Sequence, residues 1–374
     1  MTFPETHEAS ARNNMNLDAN PIKESRRIEV LDPLRGLAAL SVVWFHFSAA
    51  GNFVDDKILS QWLKYSGQYG WAGVEFFFVI SGFVLPYALS KGGYRLRNFG
   101  TFLCKRLVRL EPPYLASIAI VLAISFLVPL LPGSSAPPYE LDLPRLFSHL
   151  AYLSSFLDYE WYNVVYWTLA IELQFYLCIA LLFPLLVHGR FFIRAITVGS
   201  LLAISLLSAQ ENILLKYLPL FVLGICTFQL YANLLTYRIW LLFSAVATIF
   251  SFMTMGPTAT VAGLIAAFVI AHWKGINSGA AGMGRLWVFL GWMGTLSYSL
   301  YLIHIPVGAT VISMGSRFFS GPLGHLFTLV AALFVSMVAA WLLHRIIEKP
   351  SQRWSASIRF LRNGESINAV EKER

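Results

Sequence analysis

The stretch LDPLRGLAALSVVWFHF, residues 31–47, decides the fold, because it sets Arg35 and His46 inside a run otherwise apolar enough to cross a bilayer. In a helix, eleven positions correspond to about 16.5 Å along the axis and about 20° around it, so the two side chains share a face. A charge at bilayer depth costs on the order of 2.5–3.5 kcal/mol on insertion scales, which favours a polar cavity over lipid beside that face. The alternative is an Arg35 that snorkels to the headgroups, paired with Asp32, and a His46 hydrogen-bonded to another helix.

The rest of the chain has the same character. Of its 374 residues, 57% are hydrophobic and 13% are charged, against about a quarter charged in soluble globular proteins. The expected class is therefore an all-α polytopic membrane protein in the lipid bilayer of the cell (inner) membrane. The net charge of +8 does not indicate a nucleic-acid partner, because the basic residues stand between hydrophobic runs, where they set topology. Cys104, Cys178 and Cys226 lie in or beside apolar runs without metal-ligand spacing, so neither a metal nor a disulfide is expected. Residues 1–27 are polar and lack an apolar core before a small-residue cleavage site, which reads as a cytosolic tail.

Apolar stretches long enough to span fall near 30–50, 70–90, 113–131, 164–187 and 191–208, then 213–231, 237–254, 257–274, 286–307 and 323–346. About ten transmembrane helices are expected, in one membrane domain over 28–350, with a cytosolic basic tail over 351–374. Lys23, Arg26 and Arg27 precede the first span, and Lys91, Arg95, Arg97, Lys105, Arg106 and Arg109 separate the second from the third. Arg190, Arg194, Arg238, Lys274, Arg285 and the tail from Arg345 fall on the same side, while the opposite loops hold Lys57, Lys64, Arg145, Lys216 and Arg317. This bias puts both termini in the cytoplasm. The longest outside loop, about 132–163, has no obvious structure of its own and ends in Asp158, Tyr159, Glu160, Trp161 and Tyr162. Aromatics beside carboxylates suit sugar faces and hydroxyls, which makes Trp161 a weak candidate for substrate binding. An interfacial aromatic belt is the competing explanation.

Topology sorts the remaining polar residues by depth. His46 comes late in an outward-going helix and Arg35 early, so they occupy the outer and inner halves. Glu172 lies roughly 12 Å below the outer surface and can approach the depth of His46. His304 also falls in the outer half, with Tyr301 one turn and Ser297 about two turns earlier. Arg106 and Arg109, at i, i+3, share a face at the cytoplasmic mouth.

An ordered set of motifs over roughly 30–350 resembles the acyltransferase-3 family of integral membrane O-acyltransferases. The opening stretch looks like that family's Arg followed after ten residues by a His, and GVEFFFVISGF at 73–83 resembles its phenylalanine-rich motif ending in Ser-Gly. Phe102 with Lys105, Arg106, Arg109 and Leu110 leads into Pro112-Pro113-Tyr114. WTLAIELQFY at 167–176, LSYSLYLIHIP at 296–306 and Glu348-Lys349-Pro350 follow in order.

The resemblance implies transfer of an acyl group, acetyl being the family's usual cargo, from acetyl-CoA or another acyl-CoA to a hydroxyl of an extracytoplasmic carbohydrate or glycoconjugate. Some relatives carry an additional extracytoplasmic hydrolase-like domain, and this chain ends too soon to hold one.

On this reading Arg106 and Arg109 bind the donor nucleotide, since a guanidinium fork suits phosphate, and Arg35 lines the path of the pantetheine arm, counted with both the donor-binding and the catalytic residues. His46 acts as general base or carries the acyl group itself. Glu172 orients the imidazole or an acceptor hydroxyl, or is a structural partner of a buried Arg or Tyr. His304 and Tyr301 are weaker substrate-binding candidates, for which a helix-bridging hydrogen bond is the alternative. For Ser81 and Gly82 the alternative is close helix packing. Two rivals remain: an exporter of a glycan or acylated metabolite that makes no bond, and a non-enzymatic scaffold for an envelope assembly.

Overall fold

The computed structural model describes residues 28–50, 58–130, 137–208, 212–279 and 284–360. The expected tail 1–27 and the end of the basic tail, 361–374, lie outside the described residues, as does Lys57. The described residues form helices and connecting turns, with no strand among them.

In chain order the helices are α1 (Leu31–Ser48), α2 (Ile58–Gly67), α3 (Gly73–Lys91), α4 (Phe99–Leu127), α5 (Leu143–Leu150), α6 (Tyr166–Val187), α7 (Phe191–Ser205), α8 (Leu214–Tyr231), α9 (Tyr237–Met255), α10 (Pro257–Gly279), α11 (Gly284–Phe318), α12 (Gly321–Leu343) and α13 (Lys349–Ser357). A helix lies over each of the ten apolar stretches. Seven helical segments among the described residues are long and apolar enough to cross a membrane. The rest fall short for visible reasons. The helix α7 and the apolar part of α10, Pro257–Trp273, have fewer than 18 residues, and α1 carries Asp32, Arg35 and His46 within its 18.

Two features depart from expectation. The loop around 132–163 contains α5, started by Asp142, whose side chain accepts from the Arg145 backbone N–H at 3.0 Å. The third apolar helix begins at Phe99 and not near 113, because α4 runs straight through Pro112 and Pro113. A proline inside a helix removes the bond to the carbonyl four residues back. Here the orphaned Arg109 carbonyl is rescued by Ser351 Oγ, which donates to it at 3.1 Å.

The same remedy recurs twice. Pro184 in α6 frees the Ala180 carbonyl, and Tyr94 OH donates to it at 3.0 Å. Pro306 in α11 frees the Leu302 carbonyl, and Asn163 Nδ2 donates to it at 2.8 Å. Each proline thus becomes a docking point for a distant segment instead of a break. Ser351 and Ser355 together hold α13 along α4, the second by donating to the Lys105 carbonyl at 2.7 Å.

Small residues bring the central helices together. A Cβ on Gly36 would collide with the Leu290 carbonyl and one on Gly294 with Asp32 O, so α1 and α11 touch backbone to backbone. Gly82 and Gly224 do the same for α3 and α8, against Phe221 O and Val79 O. These crossings leave α1, α3, α4, α6 and α11 around a shared polar interior.

Candidate functional site

Two cavities of that interior are lined by the residues singled out above. The first, about 120 Å³, is lined by Arg35 from α1, Arg106 and Arg109 from α4, and Glu172 and Tyr176 from α6. Ser297, Tyr298 and Tyr301 from α11, with Glu348, complete it. We refer to it as the arginine cavity. Because α4 is continuous through its prolines, Arg106 and Arg109 project from a rigid helix and not from a loop. The Arg106 guanidinium lies over the Phe102 and Tyr176 rings, 5.4 and 5.5 Å from their centroids. Glu172 Oε1 accepts from Tyr176 OH at 2.6 Å and from Ser81 Oγ at 3.3 Å. Ser81 therefore has a polar partner, while its neighbour Gly82 makes the helix contact. Glu348 is held by Ser299 Oγ at 2.6 Å and Gln352 Nε2 at 2.8 Å, with His344 Nδ1 3.0 Å away.

The second cavity, about 270 Å³, is lined by Phe45 and His46 of α1, Trp71, Glu75, Trp167 and Tyr217, with Val164 and Val165 on one side. We refer to it as the histidine cavity. Val74 and Tyr301 line both cavities, so the Tyr301 ring is part of the wall between them. That ring is anchored on three sides. Its hydroxyl is 2.8 Å from Thr168 Oγ1, which itself donates to the Val165 carbonyl. Phe77 meets it edge to face at 6.0 Å, and His304 lies at 6.0 Å.

His46 and His304, 258 positions apart, are in contact: His304 Nε2 lies 3.2 Å from His46 Nδ1. Their neighbours determine the protons when both rings are neutral. His304 Nδ1 is 3.0 Å from Leu300 O and 2.9 Å from Tyr301 O, which can only accept, so the proton resides on Nδ1 and Nε2 is an acceptor. His46 Nδ1 then faces two acceptors, His304 Nε2 and Val42 O at 2.9 Å, and must itself carry the proton. Nε2 of His46 keeps its lone pair, on a ring that lines the cavity. An imidazole in this tautomer is equipped to take a proton or to attack a carbonyl.

Of the residues singled out from the sequence, the structure gathers Arg35, Arg106, Arg109 and Glu172 in the arginine cavity, His46 in the histidine cavity with His304 behind it, and Tyr301 between the two. Glu172 meets Tyr176 and Ser81 and does not bond His46. Trp161 lines neither cavity: its carbonyl accepts from Arg145 Nη2 at 3.3 Å and its ring packs edge-on against His149 at 5.1 Å. Glu75 and Glu348 escaped the sequence reading as site residues. The signal for Glu75 was present, as an acidic residue within an apolar run is a functional candidate by default. Among the described residues no group of three His, Cys, Asp or Glu is placed to hold a metal ion.

Residues 28–348 match the family model described as an acyltransferase domain, Acyl_transf_3. The chain is 31% identical over 211 residues to O-acetyltransferase OatA of Staphylococcus aureus, a match covering 52% of this chain and 30% of OatA. It is 26% identical over 378 residues to acyltransferase MdmB of Streptomyces mycarofaciens, covering 87% of this chain and 92% of MdmB. The chain thus spans less than a third of the length of OatA. No solved structure matches it.

Proposed function

The chain belongs to the acyltransferase-3 family, and on that premise we propose that it transfers an acyl group, acetyl in particular, from acyl-CoA to a hydroxyl of an extracytoplasmic carbohydrate or glycoconjugate. The observation that carries this reading is the pair of cavities meeting at Tyr301, one lined by three arginines and the other by a histidine with a free Nε2 lone pair. We further propose ten spans with both termini cytoplasmic, as the distribution of Lys and Arg favours. The arginine cavity then opens toward the donor and the histidine cavity toward the acceptor.

The residues fit the donor's chemistry. Arg35, Arg106 and Arg109 offer planar donor forks to CoA phosphates, and Glu172 with Tyr176 orders the face on which Arg106 lies. A cavity of about 120 Å³ does not enclose a whole CoA, so the phosphates meet the arginines at its mouth and the acyl-thioester end passes inward toward Tyr301, where it meets the acceptor. At the other end, His46 Nε2 removes the proton of the acceptor hydroxyl as its oxygen attacks the thioester carbonyl. When the tetrahedral intermediate collapses, the C–S bond breaks and the imidazolium returns that proton to the departing CoA sulfur. The products are an ester and CoA thiol. His304 holds the productive tautomer and is a positioning residue.

The test is acetyl-CoA turnover by the purified protein in liposomes, following free thiol, with and without an envelope glycan extract. Release that requires both His46 and extract supports direct transfer. Release without extract points to an acyl-enzyme or to leakage to water. No release from folded protein favours an exporter.

A further inference from the structure

The histidine cavity contains a second group that the mechanism above does not use. Glu75 is 4% exposed, and its Oε2 is buried without a hydrogen-bond partner among the described residues. A buried carboxylate oxygen left unpaired is costly, and native structures keep few of them unless a ligand completes the set. Glu75 lines the same cavity as His46, and the remaining wall is largely aromatic: Trp71, Trp167 and Tyr217. The last two rings are 5.5 Å apart with 35° between their planes. Flat apolar rings beside one unpaired carboxyl oxygen match one ligand chemistry in particular. The C–H faces of a sugar pack on aromatic rings while its hydroxyls seek an acceptor.

We propose that the histidine cavity is the acceptor-binding site and that Glu75 is its recognition residue, accepting a hydrogen bond from a carbohydrate hydroxyl beside the one that His46 deprotonates. This rests on the acyl-transfer reading and adds where the acceptor sits and which residue selects it. The roles of the two groups divide cleanly. His46 acts on the hydroxyl that reacts, and Glu75 holds a neighbouring hydroxyl, which sets the position modified on the ring. Trp71 and Trp167 supply the face against which the ring lies. The proposed site is set apart from the donor residues by the Tyr301 wall, so its occupation and that of the arginine cavity are separately measurable.

The experiment compares the full-length wild type with Glu75→Gln, which keeps the side-chain volume but replaces the carboxyl by an amide. Two quantities are read: binding of an oligosaccharide pool from partially hydrolysed envelope polysaccharide, followed by tryptophan fluorescence, and binding of acetyl-CoA. Glycan affinity is expected to fall by about tenfold, the cost of one buried hydrogen bond left unmade, with acetyl-CoA affinity unchanged and Glu75→Asp intermediate. Equal glycan affinity in wild type and Glu75→Gln overturns the proposal, as does a wild type that binds no glycan from the pool. Parallel loss of glycan and acetyl-CoA binding also overturns it, by showing a structural role. Failure of the acyl-transfer reading looks different: glycan still binds through Glu75, and no CoA is released.

Discussion

The arginine and histidine cavities share the Tyr301 wall yet are built on opposite principles. In the arginine cavity the two carboxylates and Arg106 are engaged by neighbouring side chains. Glu172 is held by Tyr176 and Ser81, Glu348 by Ser299 and Gln352, and Arg106 lies on two rings. In the histidine cavity two functional atoms are left open, the Nε2 of His46 and the Oε2 of Glu75, while the groups behind them are fully engaged. A satisfied network orders charges for a ligand that brings its own countercharge. Open atoms on a braced scaffold are reserved for a group that arrives, reacts and leaves.

The sharpest way to break this contrast is to remove one group from each side. His46→Ala is expected to reduce CoA release by on the order of 10²–10⁴-fold, the usual weight of a general base, and to leave acetyl-CoA affinity intact. Arg106→Ala is expected to weaken acetyl-CoA binding by about tenfold or more, seen in an equilibrium titration, with catalysis recovering at saturating donor. Equal loss of donor binding in both variants, with insertion verified, would merge the cavities into one undivided site.

The two proline remedies nearest the cavities sharpen the contrast with a smaller effect. Asn163 secures the carbonyl freed by Pro306, two residues from His304, and Ser351 secures the one freed by Pro113, on Arg109 itself. Removing either donor leaves a carbonyl unpaired at a cost of about 1–3 kcal/mol, which thermal unfolding in detergent measures. The kinetic consequences should separate. Asn163→Ala lowers kcat by disturbing the histidine pair, and Ser351→Ala raises the KM for acetyl-CoA.

What the sequence disclosed follows from what a one-dimensional pattern encodes. Ionisable residues in apolar runs marked Arg35, His46 and His304, and helix periodicity put the first two on one face, because burying charge in lipid is costly enough to be visible in composition. Position along a helix axis was legible too, since it is counted residue by residue. Azimuth was not. Glu172 turns toward Tyr176 and Ser81 and not toward His46, and no spacing reveals which neighbour a helix face meets. The contact between His46 and His304 depends on α1 and α11 touching at Gly36 and Gly294, residues that read locally as ordinary small positions. The prolines misled for the same reason. A helix start near 113 is the local expectation, and the donor that lets α4 continue comes from Ser351, far away in sequence. Aromatics beside carboxylates were sought in the loop around Trp161, whereas the structure assembles that combination from Trp71, Glu75 and Trp167.

The smallest predicted effect concerns the segment leading into the histidine cavity, and it should leave the arginine cavity untouched. The Tyr162 backbone N–H donates to His149 Nε2 at 2.8 Å, while His149 Nδ1 lies 2.8 Å from the Arg145 carbonyl. With Nδ1 donating, Nε2 can serve as the acceptor only in the neutral ring. Burial holds this imidazole below its ordinary range, the carbonyl of Arg145 opposes that, and the Arg145 guanidinium adds to it. The unfolded chain takes up a proton near the usual value of about 6.5, whereas the folded ring resists until lower pH. Stability contributed by the neutral ring is therefore fully present above about pH 6.5 and is lost progressively as the pH falls below that value through the folded ring's own lower range, because the unfolded state then binds more protons. Protonation removes the acceptor for Tyr162 N–H, two residues before Val164 and Val165 in the cavity wall. Amide exchange over 159–166, corrected for intrinsic rates, should accelerate between pH 7 and pH 5, with no change in α4. His149→Gln offers Tyr162 an acceptor that does not titrate, so in that variant the acceleration should vanish. If it persists, another group drives the loosening, and His149 is not what ties the segment around Tyr162 to the histidine cavity.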